Sequence, residues 1–191
     1  MFDEVYQKID QLLLKKSHIV IAIDGQAASG KTTLASKIKE KYQGEVIHMD
    51  DYFLRQHQRT IDRLNQISGN IDYERFEAEI INHLNNEYIK VVPFQCKSMT
   101  FDEPYIIKRP AVLVIEGAYS MRLPWIRFYD LKILVKIDYE LQVSRIKKRN
   151  GHKQIERFVN EWIPMENKHI IMNDLEHHAD AIIQVTNHLL D

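Results

Sequence analysis

The sequence predicts a three-layer α/β domain: a central, mainly parallel five-stranded sheet with helices on both faces. Three observations predict it. The runs Ile19–Ile23, Ala111–Ile115 and Leu131–Ile137 are continuously apolar, the pattern of strands buried on both faces. Segments with helical periodicity separate them. Between the first run and the next helix lies Gly25-Gln26-Ala27-Ala28-Ser29-Gly30-Lys31-Thr32, which fits the phosphate-cradling pattern G-x-x-x-x-G-K-[ST]. Strand, glycine loop and helix in that order specify a three-layer P-loop NTPase fold, with ligands gathered at the carboxyl ends of the strands.

The elements follow in order. Phe2, Val5, Ile9, Leu12 and Leu13 recur at helical spacing, so residues 2–16 read as an amphipathic helix packed on the domain. The first strand covers about 19–24, and the loop helix about 30–42, ended near Gly44. Glu45–Asp50 reads as strand two, closing on acids. Residues 54–71 are polar and read as a loop, Asp72 caps a helix over about 73–87, and 89–109 holds a small β-excursion. Strands over 111–115 and 131–137 follow, with a charged helix at 139–149. A further helix spans 153–173, kinked or split by Pro164, and Ala181–Val185 is the last strand. No repeat or linker divides the 191 residues, which read as one domain with an excursion over about 52–109.

Composition narrows the classes. Hydrophobic residues make up 45% and charged residues 28%, ordinary for a soluble protein. A net charge of −1 offers no basic field for nucleic acid. The single cysteine, Cys96, fits a reducing cytoplasm. No apolar run approaches a membrane span, and the acidic start, Met1-Phe2-Asp3-Glu4, is not a signal peptide. The nine histidines form no metal-ligand cluster. The apolar faces of 2–16 and 153–173 could pair subunits as a homo-oligomer or complete the core.

The loop carries the chemistry. Gly25 and Gly30 let backbone approach an anion, and the amides of Ala27, Ala28, Ser29, Gly30, Lys31, Thr32 and Thr33 face phosphates at a helix N-terminus. Lys31 reaches the β- and γ-phosphates of ATP, and the Thr32 hydroxyl sits on Mg²⁺. Glu116, closing an apolar strand, is placed to polarise Mg²⁺ or its waters. A guanine-reading N-K-x-D segment is missing, since Asn167-Lys168-His169-Ile170 lacks the aspartate. The L-S-G-G-Q segment of transport ATPases is also missing, and the strand that would end in aspartate in a motor ends in Glu116-Gly117.

Asp50-Asp51-Tyr52-Phe53, Asn70-Ile71-Asp72-Tyr73-Glu74-Arg75-Phe76, Val114-Ile115-Glu116-Gly117 and the arginine helix, in this order, resemble the uridine kinase/phosphoribulokinase superfamily. Gly69–Tyr73 and Glu161–Glu166 look like a bacterial uridine kinase-like subgroup. The resemblance covers about 19–186. It implies an ATP- and Mg²⁺-dependent kinase acting on a small-molecule sugar-type hydroxyl, a nucleoside leading, with another riboside or a phosphorylated sugar as alternative. It implies that Asp50 is the base toward the acceptor hydroxyl, although Asp51 is the alternative if it faces inward instead. Asp72 would hold acceptor hydroxyls, or else only cap its helix. Arg145 and Arg149, four apart, with Arg157 beyond Gly151, look like a helical lid over about 145–157 that clamps the transferring phosphate. Tyr52, beside the expected base, is expected to bind the acceptor. Arg55, Arg59 and Arg63 stand near the acceptor, either binding a phosphate on it or lying on the surface. One departure is plain: Val92-Pro93-Phe94-Gln95-Cys96-Lys97 lacks the tyrosine and histidine that read a pyrimidine in uridine kinases, leaving Phe94 to stack on a base or to pack in the core. The reading from a different class is a nucleotide-binding regulator that transfers nothing.

Overall fold

The computed structural model describes residues 2–186. In chain order its elements are α1 (Asp3–Leu13), β1 (Ile19–Gly25), α2 (Lys31–Tyr42), β2 (Glu45–His48), α3 (Ile61–Leu64), α4 (Tyr73–Glu79), β3 (Tyr88–Val91), β4 (Phe94–Gln95), β5 (Thr100–Phe101) and β6 (Tyr105–Lys108). Then come β7 (Val112–Glu116), β8 (Leu131–Ile137), α5 (Tyr139–Asn150), α6 (His152–Arg157), α7 (Ile163–Met172), α8 (Leu175–His178) and β9 (Ala181–Val185).

Five of the strands form one sheet in the order β2-β7-β1-β8-β9, every neighbouring pair parallel. The apolar runs explain it. Along β1, Ile19, Ile21 and Ile23 face one side, where they meet Val5 and Ile9 of α1 and Leu34 and Ile38 of α2. Val20 and Ala22 face the other, where they join a core that includes Phe76, Trp125, Ile170 and Leu175. Each buried isoleucine, leucine or valine contributes about 1.5–3 kcal/mol by leaving water, so the two-sided pattern drives helices onto both faces. The chain leaves β1 toward β2 on one side and later crosses to β8 on the other. The crevice at the carboxyl end of β1 is therefore a topological switch point.

Three expected boundaries move. Strand two stops at His48, and Met49–Tyr52 form a 3₁₀ turn. With three residues per turn, Met49 and Tyr52 share one face and are both fully buried, while Asp50 and Asp51 project away from it. The helix after Asp72 ends at Glu79 instead of near 87, and the chain continues as a 3₁₀ turn, Ile81–His83. Paired β-branched isoleucines and the asparagines at 82, 85 and 86 resist a longer helix. Around Pro164 the helix neither splits nor stops: Phe158–Trp162 widens into a π-helical turn, and α7 resumes with Pro164 in its first turn. The proline lacks the N–H that a regular α-turn would use.

The excursion between β2 and β7 is small and locally paired. β3 and β6 form one antiparallel ribbon, and β4 and β5 another of two residues each. Arg75 holds it together. Its guanidinium donates to the Asp51 carbonyl at 2.6 Å and the Val92 carbonyl at 2.8 Å, and lies 4.0 Å from the Tyr52 ring centroid.

Candidate active site

The P-loop begins where β1 runs out of room. Gly25 has φ +142°, and a Cβ there would stand 1.9 Å from the Val135 carbonyl oxygen, so only glycine lets the loop lie this close to β8. Helix α2 then starts at Lys31 with no side-chain cap and no acid in its first turn. Its leading N–H groups and positive dipole end are left for an anion. Lys31 is buried and donates to the Gln26 carbonyl at 2.8 Å, inside the loop. The Ser29 hydroxyl is buried with no hydrogen-bond partner, an orphaned donor within a ring of amides.

Sheet register brings Glu116 beside the loop. β7 pairs with β1 so that Glu116 stands opposite Ile23, and the Thr32 hydroxyl donates to the Glu116 carboxylate at 3.3 and 3.4 Å. Gly117 makes the turn that follows, at φ +135°; a Cβ there would come within 2.8 Å of Met49 Cβ. One hydroxyl and one carboxylate are a hard-oxygen pair suited to Mg²⁺, which keeps most of its shell as water and phosphate oxygen. Among the described residues there is no cluster of three or more His, Cys, Asp or Glu side chains able to hold a metal unaided. The pair fits a cation delivered with a nucleotide. His48 completes this corner: its Nδ1 lies 2.5 Å from Glu116 Oε1, and that hydrogen bond raises the imidazole above its ordinary value.

Asp50 and Asp51 part company in the 3₁₀ turn. Asp50 keeps contact with solvent, yet the surrounding protein raises its carboxyl above the usual range. Glu116 adds to the rise, while Lys31, His48 and Arg149 oppose it. Asp51 is also raised by burial; besides its neighbours His48 and Asp50 it feels Arg75 and Asp102, on the excursion side. Asp50 therefore shares its electrostatic surroundings with the phosphate loop, and Asp51 does not.

The arginine helix reaches the loop through its first half. Gln142 donates to the Ala27 carbonyl and Arg145 to the Ala28 carbonyl, both at 3.1 Å. The Arg145 side chain thus reaches the loop itself. Arg149 is exposed, within electrostatic reach of Asp50, and donates to Asn150 Oδ1 at 2.7 Å. Arg157 pairs with Glu161 on the surface.

The acceptor residues scatter. Asp72 is buried: its Oδ1 caps α4 through the Arg75 N–H at 3.2 Å, and its Oδ2 accepts from Gln58 Nε2 at 2.8 Å, with Arg55 at 3.6 Å. Cap and acceptor anchor are compatible only if Gln58 yields Oδ2. Tyr52 is a correction, and Phe94 takes the core place that was one of its two expected ones. Tyr52 is core, packed edge-on against Phe76 at 4.8 Å, and Phe94 is core against Phe101 at 5.3 Å. The 3₁₀ turn and the β4–β5 ribbon direct both rings inward. Arg63 is structural, forked onto Glu74 at 2.7 Å by two nitrogens. Arg59 spans the Leu54 carbonyl and Cys96 Sγ, and the Cys96 thiol in turn feels Asp50.

Sequence reasoning missed the supports. Asp24 is buried at the end of β1 and accepts from the amides of Gly25, Tyr119 and Met121 at 2.6, 3.1 and 2.7 Å. His169 Nε2 lies 3.0 Å from the same carboxylate, and its Nδ1 meets Ser68 and Asn173 at 3.0 and 2.8 Å. Asp24 has the only usable signal, a carboxylate ending an apolar strand. His48 and His169 have none, because their partners lie 68 and 145 positions away.

No protein-family profile matches the chain. A uridine kinase of Anoxybacillus flavithermus is 27% identical over 191 aligned positions, covering 92% of this chain and 90% of its own length. The chain is similar to this uridine kinase along nearly its whole length. A nicotinamide riboside kinase of Saccharomyces cerevisiae is 23% identical over 79% of this chain and 72% of its own. A solved structure described as a possible uridine kinase, from Bacillus stearothermophilus, superposes with a TM-score of 0.69 at 20% identity, covering 94% of this chain and 99% of that one. That likeness establishes the shared fold.

Proposed function

We propose that this chain is an ATP- and Mg²⁺-dependent kinase that transfers the γ-phosphoryl group to a hydroxyl of a nucleoside or related riboside. One observation carries the reading: Asp50 stands in the electrostatic field of Lys31, Glu116 and Arg149, so a base-type carboxylate shares the cleft with the phosphate loop. A protein that only bound nucleotide would need Lys31 and the loop but no such carboxylate. The names of the relatives, uridine kinase and nicotinamide riboside kinase, favour a ribose hydroxyl as acceptor.

Phosphoryl transfer asks the protein chiefly to position the phosphates and offset their charge. Lys31 and the α2 amides supply both. Thr32 and Glu116 would hold Mg²⁺, which supplies charge neutralisation on the phosphate oxygens when bound. Asp50 orients the acceptor hydroxyl and takes its proton, a task its raised carboxyl suits. Arg149 meets the charge from the solvent side. A second reading, a phosphorylated acceptor, is favoured by Arg59, whose guanidinium leans on the Cys96 thiol within the field of Asp50.

The test is ADP release from ATP·Mg²⁺ against uridine, cytidine, nicotinamide riboside, ribulose 5-phosphate, pantothenate and simple sugars. Stimulation by a nucleoside or riboside supports the first reading, and stimulation by the sugar phosphate alone supports the second. Tight ATP binding with no stimulated release by any of them would favour the regulator.

A further inference from the structure

An anion cradle ordinarily waits for an outside anion; here a carboxylate of the chain itself stands at it. Glu166, on α7, is buried, and its Oε2 accepts from the Ala27 N–H at 2.7 Å. Its neighbours grip the same stretch of loop. Gln26 Nε2 donates to Asn167 Oδ1 at 3.1 Å, and His169 Nε2 meets Asp24 at 3.0 Å. One turn of α7 therefore fastens positions 24, 26 and 27, and the attachment at 27 is a carboxylate. Lys31 is the cation facing it from α2, Asp24 faces it from β1, Asp50 from the turn after β2, and Tyr119 from the segment after β7. Toward the Ala27 N–H, the carboxylate does what a phosphate oxygen would do. Nucleotide phosphates arriving at the loop meet a like charge at close range in a desolvated site, which is costly unless one charge is removed.

We propose that Glu166 is an internal anion of the phosphate loop, which must take up a proton for nucleotide phosphates to settle there, so that this residue sets the nucleotide affinity of the site. The inference rests on the nucleotide-binding half of the function above and is independent of the acceptor. It also explains how the loop keeps a shape ready for ligand: the half-buried Ala27 amide has Glu166 as its partner. Burial pushes the Glu166 carboxyl up to about 7; Lys31 and the Ala27 N–H oppose the rise, and Asp24 and Asp50 add to it. The sign follows. Above that value Glu166 is ionised and opposes the phosphates, and below it the side chain is neutral. Affinity for nucleotide therefore falls as pH rises through about 7, and binding near neutrality takes up a proton.

Titration calorimetry with MgATP and MgADP on the full chain and on Glu166→Gln, from pH 6 to 8.5, tests this. Glutamine keeps an oxygen for Ala27 and loses the charge, and comparing the two proteins cancels the ionisation of the nucleotide. The expected result is roughly tenfold tighter MgATP binding by Glu166→Gln at pH 8, an advantage that shrinks toward pH 6. Proton uptake by the wild-type chain, read from buffers of different ionisation heat, should vanish in the variant. Equal or weaker binding by a normally melting variant at both ends of the range would overturn the proposal. Should the variant fail to fold, absence of proton uptake by the wild-type chain near pH 7 would overturn it alone. A wild-type chain that binds neither nucleotide at any pH would overturn the nucleotide reading itself, a separate failure.

Discussion

The two sides of the cleft are built by different means. The phosphate side is set by backbone: glycine geometry at Gly25, the β1–β7 register that lines up Glu116, and the uncapped start of α2. The excursion side is set by side chains reaching across sequence: Arg75 to Asp51 and Val92, Arg63 to Glu74, and Gln58 to Asp72. Backbone geometry tolerates change in any side chain it does not use. A side-chain network fails when one member goes, and its members can be exchanged to fit another acceptor. One side of the cleft is therefore expected to fix the reaction and the other the substrate.

The largest expected effect is on the backbone-built side. Lys31→Ala removes the buried cation of the cradle, and turnover should fall by about 10²–10³-fold or more, the scale of losing one preorganised charge-stabilising group. Steady-state kinetics with MgATP and the best acceptor measures it; near-wild-type turnover would break the assignment of the phosphate side. Asp50→Asn should lower kcat by about 10²–10⁴-fold while leaving MgATP affinity unchanged. Asp51→Asn should do much less, because Asp51 lies in the field of Arg75 and Asp102 instead of Lys31 and Glu116. A larger loss in Asp51→Asn would exchange their roles.

The same division explains what could be read from the sequence. The three buried strands over 19–23, 111–115 and 131–137 were legible because burial on both faces leaves continuous apolar runs, and the loop was legible because its glycines are contiguous with Lys31 and Thr32. Tyr52 was misplaced, and Phe94 was left open between base and core, for one reason. The chain there turns by 3₁₀ geometry and by a two-residue ribbon, and neither has a periodicity that says which way a ring points. Glu166 was visible as the end of the Glu161–Glu166 segment, but its contact was not, because its partner, Ala27, lies 139 positions away and offers a backbone N–H, which no residue type advertises.

Arg75→Ala should separate the sides by stability. It strands two carbonyls and removes the ion pair with Glu79, a loss of about 3 kcal/mol. Urea unfolding should show that loss, while MgATP affinity, measured well below the transition, stays within about twofold, since sites without shared partners behave additively. A parallel loss of nucleotide affinity would mean that the excursion and the phosphate loop are one cooperative unit.

The smallest effect, and the one that most sharpens the comparison, belongs to Gln58. Its amide holds Asp72 Oδ2 at 2.8 Å, while Oδ1 is committed to the cap of α4. If Asp72 is to take an acceptor hydroxyl, that hydroxyl must replace the Gln58 amide, and the exchange costs about one net hydrogen bond, on the order of 1 kcal/mol. Gln58→Ala removes the competitor. The acceptor KM should fall about fivefold, with kcat and MgATP affinity unchanged. The acceptor-free protein should melt slightly lower because a buried carboxylate oxygen loses its donor. An unchanged acceptor KM would leave Asp72 as a helix cap alone and move the acceptor contact toward Arg59 and Cys96, where a phosphate on the acceptor would find its cation.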